Sequence, residues 1–380
     1  MVPFDFCPRT RVIFGRGAAA RVGEHARDLQ FHRTLLVADA GIVQAGHAST
    51  VQRCLEAVGI AIVPFSEFGE NPDSAMIAAG ARGAAPHRID SIVAVGGGSS
   101  LDCAKGINFV LTNGGDISDY RGYGKVATPL LPMIGIPTTA GTGSEAQSYA
   151  VLSDAATHTK MACGDPSAAF RVAILDPILT MTAPPRVTGI AGIDALAHAV
   201  ETAVTTRRNL LSDTFSRQAW RLLSRAFERV MSDPSDLDAR AEMQLGAHFA
   251  GFAIEQSMLG AAHACANPLT ARFDVAHGVA LAILLPHVVR WNAAVAGDGY
   301  SALLGSPSRA AGDPDAAETL ALRLDGFARM AGMPARLSDA GVPRDALPAL
   351  AELAGQQWTG TFNPRPFGTS GALEIYEASF

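Results

Sequence analysis

Four side chains with metal-binding chemistry lie in the second half of the sequence. Asp194 and His198 are spaced i, i+4 within GIDALAHAVE, so on a helix they would share one face and could bind one ion. His263 and His277 follow in LGAAHACANPLTARFDVAHGVA. Three imidazoles and one carboxylate suit Fe²⁺ or Zn²⁺ and leave a position for a substrate oxygen. Glu201 falls on roughly the same helical face and could support a ligand. A lone histidine is more often a packing residue, so the pattern leaves both interpretations open.

A glycine-rich turn in the first half has the chemistry of an anion site. An apolar segment at 89–95 runs into Gly96, Gly97, Gly98 and Ser99, and a helical pattern opens at 101. Glycines let the backbone approach a ligand, and a helix N-terminus offers free N–H groups, which together suit a pyrophosphate. The run is not G-x-G-x-x-G, so an ordinary tight turn stays an alternative.

Two further features could complete a dinucleotide site. The loop PTTAGTGSE at 137–145 supplies hydroxyls after an apolar strand, at the sheet edge where α/β proteins bind ligands, although a solvated loop has the same composition. Asp39 ends another apolar segment. A carboxylate there would accept from a ribose 2′-hydroxyl and repel a 2′-phosphate, which favours NAD over NADP. A turn aspartate beside Gly41 explains Asp39 equally well.

The elements that must position these residues differ between the two halves. Short apolar runs alternate with helical patterns up to about residue 175, which predicts a parallel α/β sheet, and amphipathic helices dominate afterwards. The Pro/Asp-rich segment 176–185 marks the boundary, giving an α/β dinucleotide-binding domain at 1–183 and an all-helical metal and substrate domain at 184–380. The segment 307–317 predicts an exposed loop. Predicted strands are 33–39, 60–65, 89–95, 131–137 and 172–175; predicted helices include 47–58, 73–85, 101–111, 213–230 and 239–256.

Composition excludes several classes of protein. The formal net charge of −6 argues against nucleic-acid binding. The most apolar stretch, Val279–Val289, is interrupted by Pro286 and is shorter than the ~20 residues of a membrane span. The N-terminus lacks a basic-then-apolar signal pattern, so we expect a cytoplasmic protein without membrane or nucleic-acid partners. The five cysteines show no C-x-x-C pair, and we expect reduced thiols.

Motifs along nearly the whole chain occur in an informative order. They are RVIFGRGA, GGGSSLDCAKGI, IPTTAGTGSE, GIDALAHAVE, HACANPLTARFDVAHG, LLPHVVRWN and FNPRPF. Together they resemble the iron-containing (group III) alcohol dehydrogenase family. The resemblance implies a dehydroquinate synthase-like fold, with an N-terminal α/β domain and an all-α C-terminal domain. It also implies NAD and Fe²⁺ as cofactors, with Zn²⁺ as the alternative ion, an alcohol or aldehyde as substrate, and a homodimer or larger assembly.

The resemblance assigns roles residue by residue. It makes Asp194, His198, His263 and His277 metal ligands that act in catalysis through the ion. For the cofactor it assigns a pyrophosphate loop (Gly97, Gly98, Ser99), a second loop (Thr138, Thr139, Thr142, Ser144), a contacting lysine (Lys160), a residue that separates NAD from NADP users (Asp39) and one near the adenosine (Asn71).

One position departs from the family. Many members carry a histidine four residues after the third ligand, where this sequence has Asn267. An amide hydrogen-bonds but does not exchange a proton near neutral pH, so a catalytic role for Asn267 would differ from that histidine's proton relay. Two alternatives to a metal-dependent dehydrogenase stay open. The resemblance extends to maleylacetate reductases, which are metal-independent reductases, and Asn267 alone motivates a non-catalytic NAD-binding relative.

Overall fold

Six apolar segments of the first half pair into one parallel sheet. The computed structural model describes residues 3–305 and 314–380. The strands in these residues are β1 (Arg11–Phe14), β2 (Arg33–Val37), β3 (Ala61–Phe65), β4 (Ser91–Gly96), β5 (Gly122–Tyr123), β6 (Met133–Pro137), β7 (Tyr149–Ser153), β8 (Lys160–Gly164) and β9 (Val172–Leu175). The large sheet has the order β1-β9-β6-β4-β2-β3 and every pair in it is parallel. A small sheet has the order β5-β8-β7. The predicted parallel α/β sheet is confirmed; β1 was not predicted.

Alternating side chains of the strands cover both faces of the large sheet. The helices of this unit in the described residues are α1 (Val22–Asp28), α2 (Ala40–Gln44), α3 (His47–Glu56), α4 (Ser74–Ala84) and α5 (Gly98–Asn113). Leu35 packs in one apolar cluster with Ile77 of α4 and Leu101 of α5. Its neighbour Leu36 packs in the other, with Leu55 of α3. Successive residues of a strand point to opposite faces of the sheet, so the strand packs against the helices on both faces.

The order of the strands creates a switch point between β2 and β4. The chain passes from β2 outward to β3, then returns to form β4 on the other side of β2. Connections therefore leave the carboxyl ends of β2 and β4 in opposite directions, which opens a crevice where α/β sheets bind ligands.

Helices make up the second compact unit, Pro184–Phe380, which is joined by the first residues of the chain. In the described residues they are α6 (Pro185–Thr202), α7 (Leu210–Ser232), α8 (Leu237–Ser257), α9 (Ala261–Phe273), α10 (His277–Leu303), α11 (Pro314–Met330), α12 (Leu347–Gly355) and α13 (Thr369–Ala378). The long α10 packs against α6, α9 and α11. The predicted all-helical second half is confirmed. The first unit, Phe6–Ala183, ends where this one begins.

Helix α10 is long and apolar enough to cross a membrane by length and composition. It extends well beyond the apolar stretch 279–289 recognised in the sequence. However, 67% of its apolar window is buried within the protein, and Pro286 lies inside it. Burial against neighbouring helices explains its composition, as for the core helix of a helical domain.

The predicted exposed loop at 307–317 is wrong over its last four residues. Residues 307–313 lie outside those the structure describes. Residues 314–317 begin α11, where Ala316 and Ala317 are buried. Alanine favours helix, and apolar residues that follow Ala317 continue an amphipathic helical face. The Pro, Asp and Gly residues of 307–317 had instead indicated a loop. All five cysteines are free thiols.

Candidate active site

Three helices of the second unit place the four predicted metal ligands. Asp194 and His198 lie one turn apart in the middle of α6, His263 lies in the first turn of α9, and His277 is the first residue of α10. Asp194, His198 and His263 are buried, while the side chain of His277 is 25% exposed. Three of the four side chains are therefore shielded from solvent, and His277 is the most accessible of them.

The three imidazoles converge on one carboxylate oxygen. Asp194 Oδ1 lies 3.3 Å from Nε2 of His198, 3.6 Å from Nε2 of His263 and 3.8 Å from Nε2 of His277. The ligand atoms of Asp194, His263 and His277 all lie within 4.8 Å of one another. Ligand atoms that share an ion at about 2.1 Å lie roughly 3–4 Å apart. These spacings therefore fit a single small cation.

Two buried atoms of the cluster have no hydrogen-bond partner in the described residues: Asp194 Oδ1 and His263 Nε2. Burial alone would raise the pKa of Asp194, but His198, His263 and His277 together lower it well below its ordinary value, so the carboxylate is ionised. Burying an anion with an unsatisfied oxygen is costly unless a cation compensates it. The donor set fits Fe²⁺ or Zn²⁺.

Glu201 orients His263 from the side opposite Asp194. Its Oε2 accepts a very short hydrogen bond from His263 Nδ1, and its Oε1 accepts one of 2.7 Å from the backbone N–H of Ala262. Burial lowers the pKa of His263, but Glu201 and Asp194 outweigh it and raise this pKa to about 9. Two carboxylates thus flank one imidazole, and the region attracts positive charge.

Asn267 is one turn beyond His263 on α9 and is half-buried. Its side-chain N–H donates to Gln357 Oε1 at 3.1 Å. The contact involves an amide on both sides, so it carries no group that titrates near neutral pH. The structure thus places Asn267 on the ligand-bearing helix in a neutral hydrogen bond.

The glycine turn and the Thr-rich loop lie against each other at the carboxyl ends of β4 and β6. Gly96 has a φ of 146°, and a Cβ there would clash with Ser100 Oγ, so the turn requires glycine. A Cβ on Gly98 would lie 2.6 Å from Thr142 Cγ2, and one on Gly97 would lie 3.3 Å from Thr139 Oγ1. These close approaches join the two loops into one surface. Thr138 N–H also donates to Gly96 O at 3.0 Å.

The N-terminus of α5 has the features of an anion site. In the described residues no side chain caps it, because its N-cap residue is Gly97, whereas Asp39 caps α2 and Asp73 caps α4. Uncapped N–H groups of a first helical turn bind phosphate well. The structure therefore leaves the peptide donors of the glycine turn without a side-chain acceptor.

The remaining predicted cofactor residues border this turn. Asp39 follows β2, accepts from Ile42 N–H at 3.1 Å and from Ser100 Oγ at 2.9 Å, and so lies at the switch point. Asn71 N–H donates to Ser99 Oγ at 3.2 Å, and Lys160 Nζ donates to Asn71 Oδ1 at 2.9 Å. The predicted cofactor residues therefore form one continuous cluster.

Sequence reasoning missed a buried pair beneath this cluster. Lys105 is 0% exposed, and its Nζ lies 3.8 Å from Asp102 Oδ1, which accepts a very short hydrogen bond from Ser144 Oγ. Ser144, predicted to contact the cofactor, is thus engaged inside the protein. Lysine is seldom buried, so LDCAKGI predicted only an amphipathic helix. Asn363 was also missed; it accepts from the N–H of Ala261 at the start of α9.

Comparison with known proteins bears directly on this geometry. Residues 8–177 match the family model described as iron-containing alcohol dehydrogenase, and residues 188–380 match the model of that family's C-terminal region. The chain belongs to the iron-containing alcohol dehydrogenase family. It is therefore an oxidoreductase of this alcohol dehydrogenase type, and the resemblance drawn from the motifs is confirmed.

Relatives within the iron-containing alcohol dehydrogenase family span the entire chain. The 1,3-propanediol dehydrogenase of Citrobacter freundii is 33% identical and covers 99% of both chains. The NAD-dependent methanol dehydrogenase of Bacillus methanolicus is 31% identical and covers 95% of both. A crystal structure of 1,3-propanediol oxidoreductase superposes with a TM-score of 0.95 at 32% identity over 100% of both chains.

Proposed function

We propose that this protein transfers a hydride between NAD(H) and a primary or secondary alcohol, or the corresponding aldehyde or ketone. We also propose that it holds one divalent ion through Asp194, His198, His263 and His277. The observation that carries this proposal is the convergence of three Nε2 atoms on Asp194 Oδ1, at 3.3, 3.6 and 3.8 Å. The family name favours Fe²⁺, and the same donors suit Zn²⁺.

The chain's residues would divide the work of catalysis. When bound, the ion supplies Lewis-acid polarisation of the substrate oxygen. Asp194 provides the one negative charge among the ligands, and Glu201 fixes the ring of His263. Asp194, His198 and His263 are shielded from water, and we propose that the substrate oxygen approaches beside His277, the most exposed of the four side chains.

NAD is the cofactor we propose, in preference to NADP. The uncapped first turn of α5 would receive the pyrophosphate, and the carboxylate of Asp39 would accept from a ribose hydroxyl. The relative from Bacillus methanolicus carries NAD dependence in its name. Gly97, Gly98, Ser99, Thr138, Thr139, Thr142, Asn71 and Lys160 would line the same binding surface; Ser144 would support it from beneath.

The decisive experiment is a screen of alcohols and aldehydes on protein stripped of metal and reloaded with Fe²⁺ or Zn²⁺, with NADH and NADPH in parallel. We expect NADH-linked turnover that disappears on chelation and returns with one ion. His263→Ala should lose bound metal and turnover, while His87→Ala, at an exposed histidine, should keep both.

Other outcomes would favour the alternatives. Full turnover of chelated protein and of the His263→Ala variant would point to the metal-independent reductase. NADH that binds but is never oxidised across a broad aldehyde panel would point to a non-catalytic relative.

We further propose a cytoplasmic homodimer or larger assembly without nucleic-acid or membrane partners. The net charge of −6 and the burial of α10 support the exclusion of those partners. The outer strand β1 exposes Val12 and Phe14, apolar side chains that a neighbouring subunit could cover. Light scattering at several protein concentrations tests the assembly.

A further inference from the structure

The segment FNPRPF at 362–367 has no role in the function proposed above, yet one of its side chains reaches the helix of a proposed ligand. Asn363 is buried, and its Oδ1 accepts from the backbone N–H of Ala261 at 3.2 Å, across 102 residues of sequence. Ala261 is the first residue of α9 and lies two residues before His263. Asn363 therefore contacts the turn that presents His263.

Helix α9 has no side-chain cap of its own. Its N-cap residue is Gly260, which has no side chain that could accept from the first turn. The N–H of Ala261 donates to Asn363 instead, and the N–H of Ala262 donates to Glu201. A Cβ on Gly260 would lie 3.0 Å from Asn363 Oδ1 and 3.1 Å from Glu201 Oε1, so the glycine gives both acceptors room. Two distant side chains thus cap this helix.

The side-chain amide of Asn363 uses its full hydrogen-bonding capacity. Besides Ala261, its Oδ1 accepts from Asn292 Nδ2 at 3.1 Å. Its Nδ2 donates to Asn292 Oδ1 at 2.9 Å and to Arg365 O at 2.8 Å. An amide oxygen accepts two hydrogen bonds and an amide nitrogen donates two, so every position is occupied. A buried polar group with this many partners resists rearrangement, because each broken contact would leave a polar atom unsatisfied.

Arg365 secures the same segment against α10. Its Nη1 donates to Trp291 O at 2.9 Å, and its guanidinium carbon lies 3.9 Å from the centroid of the Trp291 ring. Trp291 Nε1 in turn donates to Glu374 Oε2 at 2.6 Å. Since Trp291 and Asn292 are neighbours on α10, the FNPRPF segment is held to one turn of that helix. Asn363 therefore connects the start of α9 to α10, the helix that begins at His277.

We propose that Asn363 is a positioning residue for the metal site: by capping α9, it holds the first turn of that helix where His263 meets Asp194. The inference rests on the proposed function. Glu201 holds the ring of His263 through Nδ1, whereas Asn363 holds the backbone that carries the ring. Without this cap the first turn would fray, and a displaced imidazole would bind the ion less tightly.

Asn209 offers a matched control in the same helical unit. It is also buried, and its Oδ1 accepts from the N–H groups of Leu211 at 3.0 Å and Ser212 at 3.1 Å, which caps α7. Its Nδ2 donates to Gln256 O at 3.3 Å. Helix α7 bears none of the four proposed ligands. Asn209→Ala therefore removes a buried asparagine cap of the same kind from a helix without a ligand.

The test compares retention of Co²⁺ and amide hydrogen exchange in the full-length protein. Co²⁺ serves as a coloured substitute for Fe²⁺ or Zn²⁺. We expect Asn363→Ala to hold Co²⁺ about tenfold less tightly against a graded series of chelators. In the metal-free variant, exchange should accelerate at 261–263. Asn209→Ala should hold Co²⁺ within about twofold of wild type and accelerate exchange at 211–212 instead.

The visible absorption bands of bound Co²⁺ provide a readout that general destabilisation would not change. These bands depend on the arrangement of the ligands around the ion. We expect them to shift in Asn363→Ala and to match the wild type in Asn209→Ala. A cap that served stability alone would lower the melting temperature of both variants and leave both spectra as they are.

Each contrary result has a distinct meaning. Wild-type protein that binds no Co²⁺ would overturn the proposed function. Wild-type protein that binds Co²⁺, with an Asn363→Ala variant that binds it equally and shows the same bands, would overturn only the role of Asn363. Equal loss of Co²⁺ from both variants would overturn it too. If Asn363→Ala does not fold, exchange in metal-free wild type provides the test, since capped N–H groups at 261 and 262 should exchange slowly and rapid exchange there would refute the cap.

Discussion

Glu201 accepts the Nδ1 proton of His263 while the opposite ring nitrogen of that histidine faces Asp194 Oδ1, 3.6 Å away. A carboxylate behind a metal-ligating imidazole fixes its tautomer and its ring orientation. The sequence indicated that Glu201 could share the face of Asp194 and His198, and the structure adds that it acts on His263, across a separation of 62 residues.

Replacing Glu201 by Gln should weaken metal retention by about 10–100-fold, because the amide no longer holds the ring with a full negative charge. Metal content measured after dialysis against a graded series of chelators would show this. Glu352→Gln, at an exposed glutamate of α12, should retain metal like the wild type. Equal retention by Glu201→Gln would remove Glu201 from the metal site.

Asp39→Asn should relax the preference for NADH over NADPH by roughly tenfold, which equals about 1.4 kcal/mol of lost charge repulsion. Asparagine is a good N-cap, so it can keep the contacts with Ile42 and Ser100 while losing the charge. The ratio of kcat/KM values for the two cofactors is the measurement. An unchanged ratio, with the variant folded as the wild type, would show that Asp39 serves only as a helix cap.

Asn267→His should introduce a group that titrates near pH 6.5 one turn from His263. We expect a new inflection in the pH profile of kcat, because the wild-type amide pair with Gln357 contributes no titration there. Asn267→Gln keeps an amide and should leave the profile as it is. Superimposable profiles for all three proteins would show that position 267 takes no part in proton transfer.

His25 should make the protein sensitive to acid. It is 2% exposed, its ring nitrogens have no hydrogen-bond partner in the described residues, and burial, with Arg11 and Arg21 nearby, lowers its pKa. In acid the unfolded chain therefore binds a proton at His25 more readily than the folded chain does. The free energy of unfolding falls as pH drops below about 6.5, and His25 does not affect it above that pH. One such group contributes at most about 1.4 kcal/mol per pH unit.

His25→Leu should therefore narrow the difference in melting temperature between pH 7.5 and pH 5.5. His87→Leu, at an exposed position, should melt with the wild-type dependence on pH. If His25→Leu loses as much stability on acidification as the wild type does, the acid sensitivity must come from other groups.

The strands at the centre of the sheet could be predicted because both of their faces are buried. The predicted segment 89–95 contains the apolar run 92–95, and 172–175 is apolar throughout, as doubly covered strands require. The outer strand β1 escaped prediction because it has four residues, pairs only with β9 among the described strands, and is largely exposed. Helix α5 begins at Gly98, earlier than predicted, because its glycines resemble a turn.

The candidate site, like the fold, could be predicted from the sequence only in part. The pair Asp194 and His198 follows from helical periodicity alone, since four residues span about one turn. Their meeting with His263 and His277 follows from no local rule, because it depends on how α9 and α10 pack beside α6. The family motifs supplied that information, and the residues alone left it open. Lys105 stayed hidden because a lysine in a helical pattern predicts a solvated side chain.

The residues proposed to hold the ion all fall within Pro184–Phe380, and those proposed to hold NAD all fall within Phe6–Ala183. Both units contain buried apolar side chains, such as Leu35 in one and Phe227 in the other. A protein engineer could accordingly recode the coenzyme preference by exchanging the N-terminal segment and retune the choice of metal in the C-terminal one, as two separate libraries whose best members are later combined.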